Sequence, residues 1–142
     1  MTTRICGIEI KSSDAILTVL EEAEGEVTFV NIEPRKINIG NDESSTAIRS
    51  FFDSFLNFVR NNHINTIVLK KRAKKGQMAG GAVSFKLEAL IQLNGIAEVV
   101  FVSGQGIAAA NKRNPFVIPD ELRRYQEDAF LAASLHIRQV SP

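Results

Sequence analysis

Apolar residues early in the chain come in short runs that are apolar on both faces of an extended strand; later they return at helical spacing. From Arg4 to Ile10, Cys6, Ile8 and Ile10 fall on one side, while Ile5, Gly7 and Glu9 fall on the other. A strand apolar on both faces belongs in the middle of a sheet. Glu9 is the exception in it. Its carboxylate must either emerge at the sheet's end into solvent or meet a cation, because an unpaired buried charge is strongly unfavourable. A polar turn, Lys11 to Asp14, precedes a second run, Ala15 to Leu20, and Glu24-Gly25 turns into a third, Val27 to Ile32. Three strands joined by two short turns form an antiparallel meander. The third ends in Glu33-Pro34, which suits an edge, and residues 35 to 43 have no period, which predicts an exposed crossover loop.

Ser44 or Ser45 can cap a helix whose apolar positions, Ile48, Phe51, Phe52, Phe55, Leu56 and Val59, keep three-four spacing up to Asn61-Asn62. Asn65 to Leu69 then forms a short β-branched strand. A strand-helix-strand passage implies a right-handed crossover, placing this fourth strand beside the first. Beyond a loop from Lys70 to Gly81, a helix over 82–93 presents Val83, Leu87, Leu90 and Ile91, and a fifth strand spans Glu98 to Val102. A short helix follows from Ser103 to Asn111. A last helix is predicted from Pro119-Asp120-Glu121, with proline and acids in its first turn, to Gln139. The expectation is an α/β fold with a five-stranded mixed sheet in the order 3-2-1-4-5 and helices on both faces. This is also the order of the ribonuclease H-like fold.

At 142 residues, with 44% hydrophobic and 23% charged positions, the chain suits one soluble domain over 1–142. The start, Met1 to Arg4, has no apolar signal region, and no apolar run approaches about 20 residues, so a cytoplasmic protein without membrane contact is expected. The single cysteine, Cys6, excludes an internal disulfide, and His63 and His136 stand in no ligand spacing. A net charge of +1 is uninformative, but its distribution is not. Lys70, Lys71, Arg72, Lys74, Lys75 and Lys86 occur with no acid between positions 70 and 86. The plain reading is a solvated loop. The functional one is a polyanion site, because Gly80 and Gly81 precede a helix start whose free amides attract anions, and Lys112 and Arg113 are expected near the same rim. No aromatic residue interrupts residues 70–81, so base stacking has no support within that loop. Gly104-Gln105-Gly106 fits a loose dinucleotide fingerprint, but no later strand brings a ribose-binding acid.

Gly7-Ile8-Glu9, with the polar turn and apolar run after it, resembles the opening hairpin of the RuvC-type Holliday-junction resolvases, within the ribonuclease H-like superfamily. Glu127-Asp128-Ala129-Phe130-Leu131-Ala132-Ala133 resembles that group's final helix, and the whole chain also resembles a small bacterial family, a domain of unknown function with this topology. The resemblance implies magnesium or manganese held by carboxylates from the first strand, the end of the fourth and the last helix. Glu9 would take the first position and Asp128 the last. The middle position departs, because the fourth strand ends in Lys70-Lys71-Arg72. Two-metal hydrolysis holds ions about 3.5 to 4 Å apart and needs several anionic ligands together. Either Lys70 neutralises Glu9 and Asp128 and leaves the site inert, or one ion sits between the acids while a lysine orients phosphate or water. A plainer account of Asp128 is a surface pair with Arg124, four residues earlier.

The expected function is therefore a nuclease-inactive, resolvase-like domain that binds nucleic acid, DNA or RNA, or another polyanion, without a cofactor. The alternatives are a divergent metal-dependent endonuclease using Glu9 and Asp128, with Lys70 beside them, and a protein-interaction module that keeps only the scaffold. A homodimer is compatible with each.

Overall fold

The computed structural model describes residues 2–71 and 81–140. Strands β1 (Thr2–Lys11), β2 (Asp14–Ala23) and β3 (Glu26–Val30) form the meander, followed by β4 (Lys36–Asn38) and helix α1 (Ser45–Asn61). Then come β5 (Thr66–Lys70), α2 (Ala82–Gln92), β6 (Glu98–Val102), α3 (Gly104–Arg113), a 3-10 turn (Arg124–Gln126) and α4 (Glu127–Val140). The sheet order is β3-β2-β1-β5-β6, with β4 also paired to β2. The predicted fourth and fifth strands are β5 and β6, so the expected order holds with one strand added. β1 is antiparallel to β2 and parallel to β5, with Ile8 beside Leu69.

Each turn has a local cause. Ala23 pairs with Glu26 across Glu24-Gly25, both at positive φ, the backbone that closes a two-residue hairpin without splaying its strands. Ser44 caps α1, its hydroxyl accepting from the Ala47 N–H at 3.2 Å, and Phe51, Phe55, Phe58 and Val59 line that helix's buried face. α1 and α2 cover one face of the sheet, over Cys6, Ile8, Ile10, Leu17 and Val19. α3 and α4 cover the other, where Phe130, Leu131, Leu135 and Ile137 pack on Ile5, Leu20 and Val68. Each such side chain contributes about 1.5 to 3 kcal/mol when fully buried.

Two sequence expectations need correction. The predicted loop over 35–43 contains β4, whose Ile37 and the following Ile39 turn into the α1 side of the core; Ile39 is buried. Three residues are too short to show a period, and the pairing rests on long-range bonds: Lys36 lies beside Ile16, and the Asn38 amide donates to Asp14 at 2.9 Å. The last helix begins at Glu127 rather than Pro119. Residues 120–121 form a turn, because Gln126 is committed elsewhere. It is buried; its Oε1 accepts the Arg123 N–H at 3.0 Å and its Nε2 donates to the Leu17 carbonyl at 2.8 Å. That anchor fixes the chain on β2 immediately before α4.

Candidate functional site

The parallel strands β1, β5 and β6 end at one rim of the sheet, and α4 starts there. Gly7 sets how closely. A methyl group on Gly7 would lie 1.9 Å from the Ala129 carbonyl oxygen and 3.0 Å from the Ala133 Cβ. Only glycine lets the first turn of α4 descend onto β1, and the alanines at 129, 132 and 133 present no bulk against it. Asp128, in that first turn, is thereby brought over Glu9. Parallel pairing of Ile8 with Leu69 places the next residues, Glu9 and Lys70, side by side.

The three side chains meet. Lys70 Nζ lies 3.0 Å from Asp128 Oδ2, donating a hydrogen bond, and 3.6 Å from Glu9 Oε2. Glu9 is 14% exposed, Lys70 26% and Asp128 45%, so the pair with Glu9 is the drier of the two. Burial pushes the Glu9 pKa up, and a hydrogen bond and charge repulsion from Asp128 push the same way, against the opposing attraction of Lys70 and Lys11. Burial also acts to raise Asp128. It is outweighed by the hydrogen bond from Lys70, the bond shared with Glu9 and the attraction of both lysines, so Asp128 ends below its usual value. The two carboxyls are thus driven apart: Asp128 is the anion of the pair, and Glu9 the one that takes a proton first. The ion pair of Asp128 is with Lys70, not Arg124.

This set does not fit a two-metal centre. Two acids converge, and the position where a third ligand is needed carries the ammonium that already pairs with both. Among the described residues no group of three or more His, Cys, Asp or Glu side chains could hold a metal ion.

Around the trio the structure separates residues that the sequence grouped. Lys71 follows β5, is exposed, and donates its N–H to the Val102 carbonyl at 2.8 Å. Gly81 precedes α2 at the helix entry. Arg72, Lys74, Lys75 and Gly80 lie outside the described residues. Lys86 is held by Asp42 at 2.9 Å. Lys112 and Arg113 are not brought to this rim. They end α3, and the adjoining Asn114 carbonyl accepts from Arg138, ten residues and about 15 Å along α4 from Asp128 at 1.5 Å per residue. Helix α3 starts at the rim and runs away from it. Two open clefts also lie elsewhere, about 430 Å³ beside Ser44, Phe52 and Leu93, and about 360 Å³ beside Phe29, Phe116 and Ile137. Cys6 is fully buried, and burial pushes its thiol up to about 12, so it serves as an apolar side chain.

Sequence reasoning missed Lys36, Tyr125 and Gln126. Lys36 pairs with Ile16, which pairs with Glu9, so one row crosses the sheet from β4 to the acid. No local signal announces that row, because it depends on a three-residue strand.

The model of the family described as "Protein of unknown function (DUF3010)" matches residues 3–136. The chain belongs to the DUF3010 family. No curated protein matches it. Among solved structures, the DUF3010 chain is similar to Thermus thermophilus RuvC, with a TM-score of 0.72 at 10% identity, covering 96% of each chain. A second structure, T. thermophilus RuvC in complex with Holliday junction substrate, gives 0.68 at 10% identity over 97% of this chain and 96% of that one. The Fowlpox virus resolvase, in complex with substrate Holliday junction DNA, gives 0.60 at 12% identity over 99% of this chain and 100% of the other. The fold is ribonuclease H-like, of the resolvase type. At these identities the likeness is one of fold.

Proposed function

We propose that this chain is a resolvase-type ribonuclease H-like domain that binds nucleic acid without cutting it. The carrying observation is the Lys70 ammonium at 3.0 Å from Asp128 and 3.6 Å from Glu9, at the rim where the resemblance requires carboxylates around metal ions. A fixed positive charge supplies the neutralisation that a divalent ion would give and opposes entry of one. It offers no open position for a water nucleophile. Binding is supported by the fold, by two solved neighbours in complex with Holliday junction DNA, and by the basic residues Lys71, Arg72, Lys74 and Lys75 that follow Lys70 in the sequence. Lys11 and Lys71 add exposed cations beside it.

The test is binding of a labelled four-way DNA junction, a duplex and a hairpin RNA across a salt series. Changing Lys71, Arg72, Lys74 and Lys75 together to alanine should weaken binding and reduce the salt slope by up to about 4. Unchanged affinity and slope would discard the proposal. Cleavage that needs magnesium and disappears in Glu9→Ala would instead establish the metal-dependent endonuclease.

A further inference from the structure

We propose that Tyr125, flanked by Lys36, Arg123 and Arg124, is a stacking platform for an unpaired nucleobase whose adjoining phosphate is taken by Lys36. The inference rests on the nucleic-acid reading above and names the kind of strand that the site accepts.

Gln126 holds the 3-10 turn to β2 through its bond to the Leu17 carbonyl, and the Thr18 hydroxyl donates to the Gln126 carbonyl at 3.4 Å. With Gln126 turned inward, Arg123, Arg124 and Tyr125 are all exposed, Tyr125 by 40%. A tyrosine of that exposure in a rigid turn presents a flat apolar ring to solvent at little entropic cost. Lys36 Nζ lies 5.1 Å from the ring centroid, so the ring already holds a cation on its face. Among the described residues, Lys36, Arg123 and Arg124 enter no salt bridge. A base arriving on the ring exchanges one π partner for another, and the displaced ammonium passes to the phosphate beside it.

Position ties this platform to the rim. Lys36, Ile16 and Glu9 form a row across three neighbouring strands, which sets Lys36 about 10 Å from Glu9 at the usual strand spacing. Tyr125 precedes Asp128 by three residues. A strand lying along the rim from Lys70 and Lys71 therefore meets the ring on the far side of the acid pair. Exposed Asp120, Glu121 and Glu127 flank the two arginines, so the local field is nearly neutral. Binding here depends on the ring. It requires a base out of its pair, since a duplex hides both faces of each base in the stack.

Tyr125 is the chain's one tyrosine, and the chain has no tryptophan, so intrinsic fluorescence reports this ring alone. The full chain is titrated with oligo-dU, oligo-rU and a blunt duplex of the same length. Single strands should quench the tyrosine emission and the duplex should not. With binding followed by the anisotropy of end-labelled strands, since the variants lack the tyrosine, Tyr125→Leu should weaken single-strand binding by about 5- to 100-fold and leave duplex binding unchanged, while Tyr125→Phe, which keeps an aromatic ring, should retain it. Equal effects on dU and rU would show that the sugar is not read; loss on one alone would assign the platform to that nucleic acid. An unchanged or equal loss of both strand types in Tyr125→Leu overturns the platform and spares the nucleic-acid reading. A wild-type chain that binds no probe overturns both.

Discussion

Replacing Gly7 by alanine tests how β1 and α4 assemble the trio. The added methyl would lie 1.9 Å from the Ala129 carbonyl oxygen, about 1.5 Å inside ordinary contact, and the obstacle is backbone rather than a rotatable side chain. The first turn of α4 must lift by roughly that distance. Overpacking of this kind costs about 1 to 3 kcal/mol. A lift of about 1.5 Å also carries Asp128 out of hydrogen-bond range of Lys70, now at 3.0 Å. Because Asp128 is 45% exposed, losing that contact adds no more than about 1 kcal/mol. The sum, about 1 to 4 kcal/mol, corresponds to a fall in melting temperature of roughly 3 to 16 °C for a chain of this size. Urea unfolding followed by far-ultraviolet circular dichroism measures it, with Gly25→Ala as a comparison, where a methyl meets nothing within 4 Å and only the positive φ is strained. A Gly7→Ala chain with an unchanged midpoint would refute the close approach, and with it the placement of Asp128 over Glu9.

Three further outcomes follow from the same geometry. Lys70→Met leaves two carboxyls facing each other and should cost about 1 to 3 kcal/mol at neutral pH. Lys70 lowers both carboxyl pKa values, so this deficit should shrink as the pH falls and the acids protonate; a deficit constant with pH would exclude the ion pair. Glu9→Gln should raise stability at neutral pH, because the folded Glu9 pKa is raised and its charged form is the disfavoured one. The gain should shrink as the pH falls through the raised folded pKa of wild-type Glu9 and vanish below its unfolded pKa, whereas Asp128, with a lowered pKa, gives stability above its unfolded pKa that is lost as the pH falls through its folded one; denaturant midpoints across pH separate the two. Gln126→Ala strands the Leu17 carbonyl and the Arg123 N–H and should cost about 2 to 3 kcal/mol in urea unfolding, against under about 0.5 for the exposed Glu127→Ala.

The sheet order was legible because its determinants are local. Two-residue turns at Ser12-Ser13 and Glu24-Gly25 enforce the meander, and the α1 stripe of phenylalanines forces a crossover that brings β5 beside β1. Glu9 stood out for the same reason, as a charge in a strand with two apolar faces. What could not be read were features decided by partners far along the chain. β4 is stabilised by Asp14 and Ile16, and the start of α4 is set by a glutamine bound to a backbone carbonyl more than a hundred residues away. Pro119-Asp120-Glu121 has good helix-start chemistry, yet the buried Gln126 overrides it. Lys112 and Arg113 close the helix that follows β6, and the length of that helix, invisible in their local sequence, carries them away from the rim. The pairing of Asp128 with Lys70 rather than Arg124 follows from Gly7, whose lack of a side chain matters only once α4 is seen to rest on it.

The central claim is that a lysine ammonium occupies the acid pair where a resolvase-like centre would need metal ions. Its most direct test is to incubate the full chain with a labelled four-way DNA junction in excess magnesium and then in manganese, resolving bound and cut species on the same sample. The account predicts a junction that is bound and stays whole in both ions. Cleavage by the wild type that Glu9→Ala or Asp128→Ala abolishes would contradict it.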